Sequence, residues 1–186
     1  MNRSALAIGI AVAMTAVAGC NGDGNSKNGS ADATASGANA KTIAAGLPQS
    51  GKFMAAAKAS GLDQTLGGQD SYTVLVPDDS AFDKLPAGTL DTSGKPDGRA
   101  QLTGILTYHI LPGVVLADDI GKAIDNGKGK AVLATMGGGT LTATREGGKV
   151  VLTDGAGTKA TITGAEEKRS NGVVHHIDSV LMPAKA

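Results

Sequence analysis

The most informative segment of this chain lies near its C-terminus and reads Asn171-Gly172-Val173-Val174-His175-His176-Ile177-Asp178-Ser179-Val180-Leu181-Met182-Pro183. Asn171-Gly172 is a turn dipeptide, because both residues tolerate a positive φ angle. The apolar run that follows is rich in β-branched residues and predicts a core strand over residues 173–182. Pro183 ends this strand, because proline has no N–H to donate to a ladder.

Successive side chains of a strand point to opposite faces. His175 therefore shares a face with Val173, Ile177 and Leu181, and we expect a neutral ring that is hydrogen-bonded inside the core. His176 shares the other face with Asp178, about 7 Å along the strand. A weak metal or proton-sensitive site at His176 and Asp178 is the alternative to a solvated pair, although zinc would need further ligands.

Two earlier segments have related features. Residues 72–76 form a β-prone run that ends at Pro77, after which Asp78 or Asp79 is expected to cap a short helix carrying Phe82 and Leu85. Residues 98–110 place apolar side chains three and four positions apart and stop before Pro112, which predicts a helix that includes Tyr108 and ends in His109 on its apolar side.

Further helices and strands follow from local signals. Residues 52–60 predict an alanine-rich helix capped by Gly61, and residues 118–126 predict a helix capped by Asp118 and closed by Gly127. Glycine clusters separate short strands predicted at residues 131–136, 140–144, 150–153 and 160–163. The predicted class is α+β, a β-sandwich or wedge of short strands with a cluster of helices packed on it.

The three segments together resemble the fasciclin domain, an extracytoplasmic module associated with adhesion. Residues 171–183 are similar to its C-terminal signature, residues 72–82 to its N-terminal signature, and residues 106–113 to its tyrosine-histidine segment. The resemblance covers one domain, residues 42–184, with residues 185–186 as a tail, and it implies the fasciclin fold. The motif residues that match are Pro77, Phe82, Tyr108, His109, Asn171, Gly172, His175 and Asp178.

The N-terminus predicts export. Residues 1–19 join a short positive start to an apolar stretch too short to span a bilayer comfortably, which is typical of a signal peptide. Val17-Ala18-Gly19-Cys20 resembles the bacterial lipobox, which implies a lipoprotein with palmitate and other acyl chains on Cys20, the only cysteine. The alternative is a plain secretory signal with an incidental cysteine. By analogy with other lipoproteins, Asn21 after the cysteine favours anchoring of the protein in the outer membrane if the source is Gram-negative.

Residues 20–41 contain no aliphatic side chain larger than alanine, so we expect a flexible tether with a typical reach of about 25 Å. Removal of Arg3 with the signal leaves 16 of the 17 basic residues against 17 acidic ones, a formal charge of −1. This balance gives no electrostatic case for nucleic acid as a partner. The chain has no tryptophan and only four other aromatic residues, so its core must be aliphatic and a large preformed ligand cavity is not expected.

The sequence does not predict an enzyme. No serine lies in a Gly-x-Ser-x-Gly elbow, and an acylated Cys20 offers no thiol. The Gly137-Gly138-Gly139 run lacks the lysine and helix of a phosphate loop, so a hairpin turn explains it better. The acidic pairs at residues 118–119 and 166–167 are interpreted as a solvated helix cap and a solvated loop. No cofactor and no bound metal are expected.

The resemblance implies a function. Adhesion in animal members is attributed partly to the tyrosine-histidine segment, matched by Tyr108 and His109, and partly to an aspartate-isoleucine pair, whose place is taken here by Glu166-Glu167. Integrin-type recognition is therefore not expected, and Tyr108 and His109 are open to interpretation as packing residues. The leading hypothesis is a non-enzymatic, membrane-anchored protein of the cell envelope that mediates adhesion or matrix contacts through a protein or polysaccharide partner. The alternative is binding of an apolar small molecule, a pigment or a lipid.

Overall fold

The computed structural model describes residues 41–85 and 96–183, which belong to one compact unit. The predicted signal peptide, Cys20 and residues 20–40 of the predicted tether lie outside the described residues, as does the tail. The order of elements is α1 (Ile43–Gly46), α2 (Lys52–Ser60), α3 (Asp63–Gly67), β1 (Tyr72–Pro77), α4 (Asp79–Asp83), α5 (Pro96–Tyr108), β2 (Ile110–Pro112), α6 (Ala117–Asn126), β3 (Lys130–Ala134), β4 (Thr140–Glu146), β5 (Lys149–Thr153), β6 (Lys159–Thr161), β7 (Glu167–Arg169) and β8 (Gly172–Ile177).

The first sheet has the strand order β2-β1-β8-β7. Its two central strands, β1 and β8, run parallel in a register that pairs Tyr72 with Gly172 and Pro77 with Ile177. Strands β2 and β7 add to them in antiparallel fashion. Both central strands are buried on both faces, which explains why their sequences are nearly continuous apolar runs.

The second sheet is an antiparallel meander with the order β3-β4-β5-β6. Alternate side chains of its strands point inward and are buried, as Leu141 and Ala143 show in β4. Between them, the outward side chains are threonines in β4 and Lys130, Val132 and Ala134 in β3. This sheet therefore follows the alternation that is typical of antiparallel sheets with one covered face.

The first sheet separates two hydrophobic cores. On one face, helices α1 to α5 pack against Val74, Val76 and Val174. On the other face, the second sheet and helix α6 pack against Leu75 and Ile177. The structure thus consists of helices, a sheet and a second sheet in layers, and the predicted α+β class with helices packed on a sandwich of short strands is confirmed.

Several predicted elements agree with the structure. Helix α2 has the predicted bounds, and Gly61 ends it in the left-handed region at φ 80°. The Gly137-Gly138-Gly139 run joins β3 to β4, as a hairpin turn should. The four short strands of the second sheet are all present, with ends that differ from the predicted ones by up to two residues. Among the described residues, no helix is long and apolar enough to cross a membrane.

The helix predicted over residues 98–110 is wrong at both ends. Helix α5 begins at Pro96 and ends at Tyr108, and Ile110 belongs to β2, where it pairs with Val74. His109 lies in the link between them, and its carbonyl accepts a hydrogen bond from Leu75 N–H at 2.8 Å. Pairing with β1 thus replaces the last predicted turn of the helix. This is a tertiary effect, which the helical periodicity of the sequence does not reveal.

The predicted cap of α6 is also wrong. The helix begins at Ala117, and Asp118 lies exposed inside its first turn. The N–H of Ala117 instead donates to the carboxylate of Glu166 at 2.8 Å. Glu166 therefore satisfies the helix N-terminus from a distant loop, and the solvated-loop interpretation of this residue is wrong.

The last strand is shorter than predicted, because β8 ends at Ile177 rather than at residue 182. Beyond it the main chain is held by side chains: Asp154 accepts from Met182 N–H at 2.8 Å, and His109 accepts from Leu181 N–H at 3.0 Å. Four elements were not predicted, namely α1, α3, β2 and β7. Each has at most five residues, too few for a periodic pattern.

Candidate functional site

The turn Asn171-Gly172 holds the first helices on the sheet. Asn171 is buried; its side-chain oxygen accepts from Ile43 N–H at 2.7 Å, and its amide nitrogen donates to the carbonyls of Leu66 and Gly68, both at 2.9 Å. One side chain thus caps the start of α1 and the end of α3. Gly172 has φ 147°, and a Cβ there would lie 1.8 Å from Tyr72 O. Both residues are positioned for folding rather than for contact with a partner.

His109 is a buried neutral ring in the described geometry. Its Nδ1–H donates to Ile105 O at 2.8 Å, and its Nε2 accepts from Leu181 N–H at 3.0 Å. Burial lowers the pKa of His109 to about 4, against the smaller opposing effects of the Ile105 hydrogen bond and of Asp154. The ring bridges α5 to the C-terminal segment and is inaccessible to a partner.

Tyr108 is buried beside it. Its hydroxyl donates to Thr140 O at 2.8 Å and accepts from Gly155 N–H at 3.3 Å. Burial raises the pKa of Tyr108, with a contribution from Asp154, while the Gly155 hydrogen bond lowers it. The ring packs on the β3–β4 turn so closely that a Cβ on Gly139 would lie 2.3 Å from it. Of the two open interpretations, this geometry favours packing.

His175 also lies in the core, as its face predicts. The side chain is fully buried, its Nε2–H donates to Val115 O at 2.9 Å, and its Nδ1 has no hydrogen-bond partner within the described residues. Pro77 and Phe82 are buried as well, Pro77 at the end of β1 and Phe82 on α4. The motif positions are therefore occupied mainly by groups that hold the layers together.

The predicted pairing of His176 with Asp178 does not form on the strand, because β8 ends before Asp178. Asp178 instead accepts from Thr161 N–H of the second sheet at 2.8 Å. Partial burial raises its pKa, but hydrogen bonds from Thr161 and Ser179 and the charge of Lys84 outweigh it and lower the pKa of Asp178. Within residues 41–85 and 96–183, no group of three potential ligand side chains could hold a metal ion.

His176 has different neighbours. Its Nε2 lies 3.4 Å from Glu167 Oε1 on β7, and its Nδ1 lies 3.8 Å from Asp78 Oδ1 after β1. The imidazole is 28% exposed, and the carboxylates of Asp78 and Glu167 also contact solvent. Strand pairing explains this cluster, because β8 runs between β1 and β7. The interpretation of Glu167 as a solvated loop residue needs the same correction as that of Glu166, since Glu167 is the first residue of β7.

A cavity of about 250 Å³ opens beside His176. Its walls are apolar and come from the α1–α2 loop, α2 and β1, where they include Leu47, Phe53, Met54 and Val76. Asp78 and Asp79 lie at its rim with His176. The sequence did not reveal this site, because the walls belong to segments about 20 to 130 positions apart, each of which looks like ordinary core.

The rim carboxylates have different roles. Asp79 does not cap its own helix α4; its Oδ1 accepts from Lys52 N–H at 2.9 Å and so satisfies the first residue of α2. Asp78 occupies the N-cap position of α4, but its side chain makes no capping hydrogen bond. The predicted cap by Asp78 or Asp79 is therefore wrong, and helix α4 ends at Asp83, before Leu85. Asp78 is the rim carboxylate that faces His176.

Residues 48–183 match the model of the fasciclin domain, and the chain belongs to this family. Among its relatives, Protein sll1483 of Synechocystis sp. is 36% identical over 141 residues, which cover 76% of this chain and 71% of that protein. The transforming growth factor-beta-induced protein ig-h3 of Sus scrofa is 34% identical over 71% of this chain, and Immunogenic protein MPB70 of Mycobacterium bovis is 34% identical over 60% of it.

The matched part spans only 17% of ig-h3 and 50% of MPB70. A solved structure of a FAS1 domain pair from the insect cell adhesion molecule Fasciclin I matches with a TM-score of 0.53 and 25% identity, over 70% of this chain and 44% of that one. The resemblance to the fasciclin domain is thus confirmed by both the sequence match and the fold. A cell adhesion molecule is among the proteins that share the fold.

Proposed function

We propose that this chain is a non-enzymatic fasciclin-domain protein of the cell envelope, anchored to a membrane by lipid on Cys20, which mediates adhesion or contact with an extracellular surface. Membership of the fasciclin family carries the proposal, together with the likeness to a domain pair of a cell adhesion molecule. The partner is a protein or polysaccharide outside the cytoplasm.

The geometry of the motif residues supports a binding role over catalysis. His109, Tyr108 and Asn171 direct their polar atoms to main-chain groups of neighbouring elements. A general base needs a free nitrogen within reach of a substrate proton, and both ring nitrogens of His109 are already engaged inside the core. Contact with a partner therefore falls to the surface of the domain, where many tethered copies would gain avidity.

Attachment of cells tests this proposal. A strain that lacks the protein is expected to attach to a surface and to aggregate less than its parent, and the unaltered chain should restore both. A matched control is the Asn126→Ala variant, which changes an exposed residue at the end of α6 and should restore attachment fully. A deletion strain that attaches like its parent would contradict the adhesive role.

The cavity beside His176 favours a second candidate, binding of an apolar small molecule. Pockets for drug-sized ligands usually have about 300 to 1,000 Å³. A cavity of about 250 Å³ therefore fits one ring or a short chain rather than a whole pigment. Native mass spectrometry of the protein from its source should reveal such a ligand, and Val76→Phe, which fills the cavity, should remove it. An unaltered protein from its source that shows no mass beyond that of its own chain would end this candidate.

A further inference from the structure

Strand β3 is an edge of the second sheet, with β4 as its only partner in that sheet. At the β3–β4 turn, Thr135 N–H donates to Gly139 O at 2.9 Å, so residues 135 and 139 form a hydrogen-bonded pair. Hydrogen-bonded and non-hydrogen-bonded pairs alternate along an antiparallel ladder. Val132 and Ala134 therefore direct their main-chain N–H and C=O groups away from β4.

The ends of this edge are already paired. Met136 N–H donates to Ile110 O of the first sheet at 2.8 Å, and Lys130 N–H donates to Gly127 O at 3.3 Å. Both bonds point away from β4, as the alternation requires. Between them lies a short stretch centred on Val132 whose outward main-chain groups have no hydrogen-bond partner among residues 41–85 and 96–183.

Two exposed large hydrophobic side chains lie on this stretch or just after it. Val132 is 68% exposed and Met136 is 42% exposed, and with Val114 they are the large exposed hydrophobic residues of the part that the structure describes. Val132 lies on the outer face of β3, and Met136 follows the strand in the turn to β4. Apolar side chains beside unpaired main-chain groups are typical of a strand that accepts a partner strand.

We propose that β3 pairs edge to edge and antiparallel with β3 of a second copy of this chain, about a two-fold axis at Val132. The two Val132 residues exchange both main-chain hydrogen bonds, and each Ala134 N–H donates to the Lys130 carbonyl of the other copy. The two second sheets become one continuous sheet. The interface is isologous and closes on itself, so it forms a dimer rather than a fibre.

Charge favours a second copy in this register. With Val132 on the axis, Lys130 lies opposite Ala134, so that no lysine of β3 faces a lysine. A register displaced towards the start of β3 places Lys130 opposite its own copy, and like charges directly opposite each other are destabilising. The charge of Lys130 thus favours the alignment about Val132. The outward side chains of β4 that pair with β3 are threonines, which add no charge beside the interface.

The dimer gives the proposed adhesive function a mechanism, because copies displayed on two cells can pair directly. Only this biological role of the dimer rests on the proposed function. Cysteine cross-linking tests the pairing itself. In a full chain carrying Cys20→Ser, Val132→Cys supplies the one thiol, at a pair whose Cα atoms should lie about 5.5 Å apart, within the range of a disulfide. Thr142→Cys, on the neighbouring strand and opposite Val132 in the β3–β4 ladder, is the matched control.

Under a mild oxidant, Val132→Cys should give a disulfide-linked dimer and Thr142→Cys should remain monomeric. Sedimentation velocity should detect a concentration-dependent dimer of the Cys20→Ser chain that is lost with Val132→Asp and kept with Thr142→Asp. A Cys20→Ser chain that stays monomeric, equal cross-linking of the two cysteine variants, or a dimer that survives Val132→Asp would overturn the inference. A monomeric chain whose deletion still abolishes attachment would leave the adhesive role standing.

Discussion

The side-chain oxygen of Asn171 accepts a hydrogen bond from the main-chain N–H of Ile43 at 2.7 Å, although the two residues are 128 positions apart. The same side chain donates to Leu66 O and Gly68 O. Asn171→Ala removes the partners of three main-chain groups, and each such buried loss costs about 1 kcal/mol or more. We expect a loss of about 3 kcal/mol in the free energy of unfolding, measured by urea denaturation. Asn126→Ala is the exposed control, and equal losses would contradict this role of Asn171.

Gly172 should tolerate no side chain. A Cβ at this position would lie 1.8 Å from Tyr72 O, and the φ angle of 147° is one that residues with side chains rarely adopt. We expect Gly172→Ala to prevent folding or to cost more than about 4 kcal/mol, as judged by circular dichroism and thermal melting. Gly104 in α5 has open space around it, so Gly104→Ala should stabilise the protein by about 0.5 to 1 kcal/mol. A stably folded Gly172→Ala protein would disprove the close approach of β1 and β8.

The protein should become less stable as the pH falls, because His109 is buried as a neutral ring. Its pKa is about 4 in the folded protein against 6.5 ordinarily, so the unfolded chain binds the proton more tightly. The contribution of neutral His109 is complete above pH 6.5 and is lost as the pH falls towards 4, by about 3 kcal/mol in total. Urea denaturation between pH 7 and pH 4 measures this. His109→Gln should flatten the dependence, the exposed control Asn126→Ala should not, and identical pH profiles for all three proteins would contradict the assignment.

The two adjacent histidines of β8 should differ in their contribution to stability. His175→Leu deprives the carbonyl of Val115 of its donor inside the core, which should cost about 1 to 2 kcal/mol of stability. The loss should be no larger, because the same substitution removes the buried Nδ1, which has no hydrogen-bond partner within the described residues. His176→Val changes a partly exposed ring and should remain within about 0.5 kcal/mol of the unaltered protein. Denaturation of the two variants side by side compares them, and equal losses would mean that the strand faces are assigned wrongly.

The hydroxyl of Tyr108 joins α5 to the second sheet. Tyr108→Phe keeps the ring but removes its bonds to Thr140 O and Gly155 N–H, so we expect a loss of about 1 to 2 kcal/mol. Attachment of cells at a temperature where the variant is folded should not change, because the ring is buried. Reduced attachment by a fully folded Tyr108→Phe protein would assign the tyrosine a direct adhesive role.

The features predicted correctly from sequence are those that depend on local patterns. Helix α2 has a glycine at its end, β8 begins with a turn dipeptide, and the face of His175 follows from alternation. The features that were missed depend on distant partners. Strand β7 has only charged side chains and exists because it pairs with β8, and α6 is capped by Glu166 from 49 positions away. Asn171 was interpreted as a turn residue alone, since no sequence pattern reveals the three main-chain groups that it binds.

Display at a membrane through Cys20 is most directly tested by the attachment of cells that make equal amounts of the unaltered protein or of Cys20→Ser in place of the deleted copy. We predict that the unaltered chain, its N-terminal peptide carrying acyl chains by mass spectrometry, restores attachment, and that Cys20→Ser is released and leaves attachment at the level of the deletion strain. Full attachment with Cys20→Ser, or a mature protein whose Cys20 bears an unmodified thiol, would contradict the proposal.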